Sequence, residues 1–303
     1  MTNLEDRYGN LTTEQPNPDS TNLDLLSPIE FLELMQKEDF RVLDALARVQ
    51  DELGCLIEEL AERFRAGGRL FYTGAGTSGR LGMLDAVECP PTFGTDPELV
   101  QTLLAGGYEC LVRSVEGAED DTRAGTVAVG ERGITDKDLV LGIAASGVTP
   151  FVRSVLKEAT RRGALTVLLK CHEGAVPGLE TKRIIPLLTG PEVLTGSTRL
   201  KAGTATKMFL NRLTTGAMIQ IGKVYQNRMV DLYLTCDKLR ERAIRTTREM
   251  TGLSREEAVE LLQRVGGSVK AAILSHKLGT TPEEASSRLA SHRGNLRQAL
   301  ERC

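Results

Sequence analysis

Histidine is scarce: His172, His276 and His292 are the only three, and no two stand at H-x-x-x-H spacing. Imidazole metal sites and Ser-His-Asp chemistry therefore have little material to draw on. The six cysteines (Cys55, Cys89, Cys110, Cys171, Cys236 and Cys303) lie far apart with no C-x-x-C pair. That pattern fits neither a disulfide framework nor a structural zinc site and leaves reduced thiols. Excess positive charge is missing too, since 38 Lys plus Arg against 41 Asp plus Glu give a net charge of -3. No global field exists to hold nucleic acid or an anionic membrane, so any anion must be bound locally. No stretch approaches the ~20 uninterrupted apolar residues of a membrane span. The polar start MTNLEDRYGN lacks the charged-then-apolar order of a signal peptide. These absences predict a cytoplasmic chain whose chemistry uses carboxylates, hydroxyls, lysine or arginine.

What is present is enough chain, 303 residues and 33.0 kDa, for one large or two modest domains at roughly 150 residues each. Residues 1–24 are polar and turn-rich and read as an irregular arm. Ser27-Pro28-Ile29-Glu30 combines an N-cap serine, a proline at the first helical position and a glutamate at the third. Apolar residues then recur at helical spacing from Ile29 to Phe64, predicting two helices broken near Lys37 to Phe40. Such a pair packs on a core or forms a dimer.

From residue 69 the rhythm changes to short apolar runs, each followed by a Gly/Ser/Thr turn and a helical period: RLFYTG, LVQTLLAGG, LVLGIAASG, ALTVLLK and RIIPLL. Strands without alternation are buried on both faces, so a doubly wound α/β domain with a five-stranded parallel sheet is expected. Arg199 to Tyr225 reads as one or two helices and Asp237 to Met250 as another. Beyond Thr251, the capping box Ser254-Arg255-Glu256-Glu257, the Gly266-Gly267 break and the start Thr281-Pro282-Glu283-Glu284 predict a small bundle of three or four short helices.

Two turns have the composition of anion sites. Gly74-Ala75-Gly76-Thr77-Ser78-Gly79-Arg80 follows a strand and opens a helix, where main-chain N–H groups and the helix dipole receive an anion. Glycines 74, 76 and 79 match G-x-G-x-x-G, with Glu98 near the place of a ribose-binding acid, so a dinucleotide site is one alternative. The hydroxyls of Thr77 and Ser78 suit a terminal phosphate better. Ala144-Ala145-Ser146-Gly147-Val148-Thr149-Pro150 is a second hydroxyl-bearing strand-to-helix junction, with Thr149 as N-cap. In a parallel sheet both turns lie on one edge and converge on the crevice where chain order reverses.

GAGTSGRLG at 74–82 and AASGVTP at 144–150 resemble the two phosphosugar-binding turns of the sugar isomerase (SIS) fold, a flavodoxin-like arrangement. Together with LDAVECPPTFG, VEGAEDD and LTGSTRLKAGTATKMFLNRLTTGAM, they resemble the N-acetylmuramic acid 6-phosphate etherase family, in order across most of the chain. The resemblance implies an arm and helices at 1–65, a SIS phosphosugar-binding domain at 66–240 and a small UBA-like helical domain at 250–303. It implies Glu88 and Glu119 as the catalytic pair, and phosphate binding by Ser78, Ser146 and Thr149 beside Gly76, Thr77 and Gly147. Thr195, Gly196, Ser197, Arg199 and Lys201 become candidate sugar or phosphate contacts. A homodimer is implied, and neither metal nor nucleotide cofactor. The chain departs from the family's usual pattern at Lys170-Cys171-His172-Glu173, where a small polar turn is more usual, and at Cys236.

The implied reaction cleaves the ether between C3 of the 6-phosphorylated N-acetyl sugar and D-lactate. Opening the ring gives a C1 aldehyde that acidifies the C2 proton; a base removes it, lactate leaves C3 with help from an acid, and water adds to the unsaturated aldehyde. Two carboxylates in different protonation states meet that need. Glu119 is assigned to C2 and Glu88 to the leaving lactate and entering water, with the reverse assignment open. Asp85, Cys89 and Pro90-Pro91 are expected to shape a loop aiming Glu88, and a cis bond at that proline pair is left open. Rival readings are an isomerase of the same fold, a non-enzymatic sugar-phosphate sensor resembling the glucokinase regulatory protein, and an NAD-dependent oxidoreductase.

Overall fold

A computed structural model of the chain describes residue 9 and residues 11–113, 115–234 and 236–301. Cys303 lies outside them. The described residues divide into two compact units, one of residues up to Ala86 together with Glu98–Leu213, the other of Val87–Pro97 and the residues from Thr214 onward. This division does not follow the bounds expected at 65, 240 and 250.

The first unit opens with the arm, three short 3-10 turns at Thr12–Glu14, Pro18–Ser20 and Leu23–Leu25. Helices α1 (Pro28–Arg48) and α2 (Gln50–Arg65) follow. Ser27 forms the expected capping box, its hydroxyl accepting from Glu30 N while the Glu30 carboxylate accepts from Ser27 N. The break falls at Val49, not near residues 37–40. The apolar rhythm falters at Glu38 because that carboxylate faces inward, fully buried, at a position where a nonpolar residue is the usual occupant.

Five strands then form one parallel sheet: β1 (Leu70–Gly74), β2 (Val100–Leu104), β3 (Leu139–Ile143), β4 (Leu165–Lys170) and β5 (Arg183–Pro186), in the order β2-β1-β3-β4-β5. All residues of β1, β2 and β3 are buried, as a sheet covered on both faces requires. One face presents Phe71, Val140 and Leu168 to α4 (Thr122–Glu131) and α5 (Pro150–Arg161), through Val129, Val152, Val155 and Leu156. Each such large apolar side chain contributes about 1.5–3 kcal/mol on burial. Against the other face lies the start of α3 (Gly76–Phe93), so close that a Cβ on Gly82 would sit 2.8 Å from the Cβ of Tyr72. Helix α6 (Lys201–Gln220) is a single helix.

In the second unit a two-stranded hairpin pairs β6 (Val224–Tyr225), at the end of the segment read as helix, with β7 (Arg228–Met229). Gln226 in its two-residue turn adopts φ 55, as such hairpins demand. Helices α7 (Asp237–Thr251), α8 (Arg255–Arg264), α9 (Val269–Leu278), α10 (Pro282–Ser291) and α11 (Leu296–Leu300) complete it. Their core gathers Ala243, Leu261, Ile273, Leu274 and Leu289. Among the described residues no helix is long and apolar enough to cross a membrane.

Candidate active site

The strand order reverses between β1 and β3: the connection from β1 leads outward to β2, and that from β3 leads the other way to β4. In such sheets the crevice for a ligand lies beyond the carboxyl ends of the strands at that reversal. Gly74 and Ile143, the last residues of β1 and β3, are register partners. The two hydroxyl-bearing turns thus leave the sheet from adjacent positions, roughly 4.8 Å apart.

Local sterics explain the first turn. A Cβ on Gly74 would lie 2.6 Å from Gly79 N, and one on Gly79 would lie 2.2 Å from Leu104 Cδ1 and 2.7 Å from Gly74 O, so the turn folds flush upon itself. Gly76 takes φ 54 with open space around it. The hydroxyls of Thr77 and Ser78, half-buried in the first turn of α3, have no hydrogen-bond partner among the described residues. In the second turn Gly147 takes φ 78, and Ser146 Oγ accepts from Val148 N at 3.3 Å. Thr149 is the N-cap of α5 as expected, yet its hydroxyl makes no capping hydrogen bond. Both helix mouths therefore keep hydroxyls and N–H groups for an incoming anion.

Glu119 lies in the 3-10 turn Ala118–Asp120, beyond β2, the strand flanking β1. The turn packs against α5, and Ala118 joins the core there, leaving Glu119 exposed. Arg80 holds the intervening loop, its guanidinium donating to the carbonyls of Cys110 (2.9 Å), Leu111 (3.3 Å) and Arg113 (3.2 Å). Glu88 belongs to the second unit and is exposed on α3. Pro90 and Pro91 do not form a loop after it; they lie inside the last turns of α3, with Gly94 N donating to Pro90 O at 2.9 Å. No peptide bond among the described residues is cis. The two prolines withhold the donors that the carbonyls of Ala86 and Val87 would otherwise receive, beside Glu88. Asp85 is buried, accepting from the Tyr72 hydroxyl at 2.7 Å and from Asn211 Nδ2 at 2.6 Å, which ties α3 to β1 and α6.

The loop from Thr189 to Leu200 approaches the first turn where α6 begins: a Cβ on Gly203 would lie 3.3 Å from Thr198 O and 3.8 Å from Thr77 Cγ2. Ser197 is half-buried there, its N–H donating to Leu194 O at 3.0 Å. The expectation for Lys201 requires correction. Its side chain is 1% exposed and its ammonium is paired with the buried Glu38, so within this chain its charge is already matched by a structural partner. A buried carboxylate demands a partner, and Lys201 is the one that reaches it.

That pair belongs to a network absent from the sequence reading. Asn17 Nδ2 donates to Glu38 at 2.7 Å and to Pro191 O at 3.2 Å, and Arg41 Nε donates to Glu38 at 2.8 Å. Burial pushes the Glu38 pKa up, but hydrogen bonds from Lys201 and Asn17 and the charges of Lys201 and Arg41 outweigh it and hold the group below its ordinary value. Glu192 accepts from Lys201 N (3.0 Å) and Ala202 N (2.9 Å), capping α6; burial raises its pKa despite those bonds. Gly196 N donates to Thr13 O at 3.1 Å and Ser20 Oγ to Val193 O at 2.7 Å. The arm is thus stitched to the loop bearing Ser197. Asn17, Glu38 and Lys201 lie far apart in the sequence, and nothing in their spacing announces the network.

Residues 52–160 match the family model described as glucokinase regulatory protein N-terminal SIS domain. The chain is 53% identical over 300 residues to the N-acetylmuramic acid 6-phosphate etherase of Gloeothece citriformis, covering 99% of this chain and 98% of the relative. It is 52% identical over 300 residues to the protein of that name from Trichormus variabilis, covering 99% and 97%. Among solved structures, a phosphoheptose isomerase from Neisseria gonorrhoeae superposes with a TM-score of 0.46 at 14% identity, covering 62% of this chain and 100% of that one.

Proposed function

The chain belongs to the N-acetylmuramic acid 6-phosphate etherase family, and from that premise we propose how it breaks the C3 ether of its phosphosugar to release D-lactate and N-acetylglucosamine 6-phosphate. The observation that carries the reading is the pair of hydroxyl-bearing turns at the β1/β3 reversal, where the hydroxyls of Thr77, Ser78 and Thr149 have no partner among the described residues. The 6-phosphate sits across them, taking hydrogen bonds from Thr77, Ser78, Ser146 and Thr149 and from the amides near Gly76 and Gly147. Ser197 meets the sugar from the neighbouring loop.

With the phosphate anchored and the ring open, Glu119 removes the C2 proton and the C3–O bond breaks toward lactate, which takes a proton from Glu88. Water deprotonated by Glu88 then adds at C3, and C2 is reprotonated from Glu119. Each carboxylate contributes about 10²- to 10⁴-fold. Two carboxylates also describe glycoside hydrolases, but those act at C1 and need no phosphate grip. Reaction in ¹⁸O water tests the proposal: label at C3 of the amino sugar is expected, and label in lactate would overturn C3–O cleavage.

A homodimer and a cytoplasmic location complete the reading. On α1, Ile29, Leu32, Phe40 and Leu43 stand exposed at 65%, 58%, 61% and 49% along one helical face, an apolar stripe that a second copy of the chain would cover. Leu32→Asp with Phe40→Asp is expected to give a monomer by light scattering; a monomeric parent protein would refute the assignment. The cysteines among the described residues are all free, as a reducing compartment keeps them.

A further inference from the structure

Three lysines are buried among the described residues: Lys170 at 4%, Lys201 at 1% and Lys270 at 5% exposure. Lys201 faces the carboxylate of Glu38, and Lys270 that of Asp231 at 2.8 Å. Lys170 faces none. Its ammonium donates to the carbonyl of Gly174, and its neighbour Glu173 stands exposed without pairing to it. An ammonium carries three donors, so one bond to a neutral carbonyl leaves both hydrogen-bonding capacity and charge unmatched. Burial accordingly pushes its pKa down, with no opposing charge to hold it up.

The place of this cation is informative. Lys170 ends β4, beside the second turn: Ala144 N donates to Leu169 O at 3.1 Å and Cys171 N to Ala145 O at 2.8 Å. Its methylenes run along that turn, so that a Cβ on Gly147 would lie 3.4 Å from Lys170 Cδ and 3.8 Å from its Cβ. Nothing in the packing of β4 calls for a lysine, whose stem a methionine would match. A buried cation without an anion, beside a helix mouth with an unused hydroxyl, has the arrangement of half an ion pair.

We propose that Lys170 is a specificity-determining residue for the phosphoryl group of the substrate, its ammonium being the buried counter-charge to the anion held by Ser146 and Thr149. The proposal rests on the preceding assignment of the phosphate to those turns. It explains why the cation is tolerated: the ligand, not the fold, completes the pair.

The test compares Lys170→Met, Lys170→Gln and Ser146→Ala, measuring thermal unfolding with and without inorganic phosphate, inhibition by inorganic phosphate, and steady-state kinetics. Lys170→Met is expected to melt at or above the parent temperature without phosphate and to lose the rise that phosphate confers. Its KM and its inhibition constant for phosphate should increase about 10- to 100-fold, the weight of a charge-assisted hydrogen bond, with the effect falling on KM more than on kcat. Should Lys170→Met fail to fold, Lys170→Gln, which keeps the bond to Gly174 O without the charge, serves the same comparison. If Ser146→Ala weakens phosphate and neither Lys170 variant does, the counter-charge proposal falls and the turn assignment stands. If no variant alters the response to phosphate, or the parent protein shows none, the turn assignment itself falls.

Discussion

Lys201→Met removes one member of the buried pair and leaves Glu38 fully buried with Asn17 Nδ2 at 2.7 Å and Arg41 Nε at 2.8 Å. Arg41 is 47% exposed, so its charge is screened by solvent and replaces that of Lys201 poorly. Breaking a buried pair from one side costs about 3–5 kcal/mol, which for a unit of this size lowers the melting temperature by roughly 6–20 °C. The pH dependence has a defined sign. In the parent protein the Glu38 pKa is held low, so the pair adds stability above the unfolded carboxylate value of 4.5 and loses it as pH falls through the folded value. In the variant, burial outweighs the remaining partners and raises the Glu38 pKa, so protonation relieves the buried charge and the deficit narrows between pH 8 and pH 5. Glu192, already raised and now without the Lys201 charge, shifts the same way. Glu38→Leu added to Lys201→Met should recover most of the loss, because an apolar pair needs no counter-charge. Urea unfolding followed by circular dichroism at several pH values measures all of this. A single variant within about 0.5 kcal/mol of the parent, or a deficit that widens on acidification, would refute the reasoning, since surface substitutions change stability by that little.

Glu88→Gln and Glu119→Gln should each lower kcat/KM about 10²- to 10⁴-fold with the fold intact. Exchange of the C2 proton of N-acetylglucosamine 6-phosphate into deuterated solvent, followed by NMR, should vanish with Glu119→Gln and persist in part with Glu88→Gln; the opposite pattern exchanges their roles. Gly79→Ala places a methyl 2.2 Å from Leu104 Cδ1 and 2.7 Å from Gly74 O, and should cost about 1–3 kcal/mol by overpacking while weakening phosphate binding; a neutral outcome in both measurements would contradict the close turn. The Cys171 thiol, pushed up to about 12 by burial and then by the charge of Glu192, should resist a thiol reagent at pH 8 while the exposed Cys55 and Cys236 react, as peptide mapping of the labelled sites would record.

Much of the architecture was legible because it rests on local rules. Uninterrupted apolar runs located β1 to β5, and proline at the first helical position located the starts of α1, α5 and α10. The two turns that follow β1 and β3 were legible for the same reason, since their glycines permit the positive φ at Gly76 and Gly147 and the close approach at Gly74 and Gly79 that a side chain would block. The misreadings occurred where a residue's role depends on a distant partner. Glu38 looked like a helix interruption because its partner Lys201 lies 163 residues away, and Lys201 looked like a ligand for the same reason. Pro90 and Pro91 looked like a loop because propensity disfavours them in helices, yet α3 continues through them to Phe93.

Periodicity and turn chemistry, properties of neighbours along the chain, were enough to determine a doubly wound parallel sheet, its strand ends and two turns suited to an anion. Tertiary structure alone decided which charges are neutralised inside the fold. Whether a lysine is a structural partner, like Lys201, or a cation awaiting a ligand, like Lys170, depends on where the nearest carboxylate lies in space, and electrostatic energy follows that distance and the surrounding burial rather than separation in sequence.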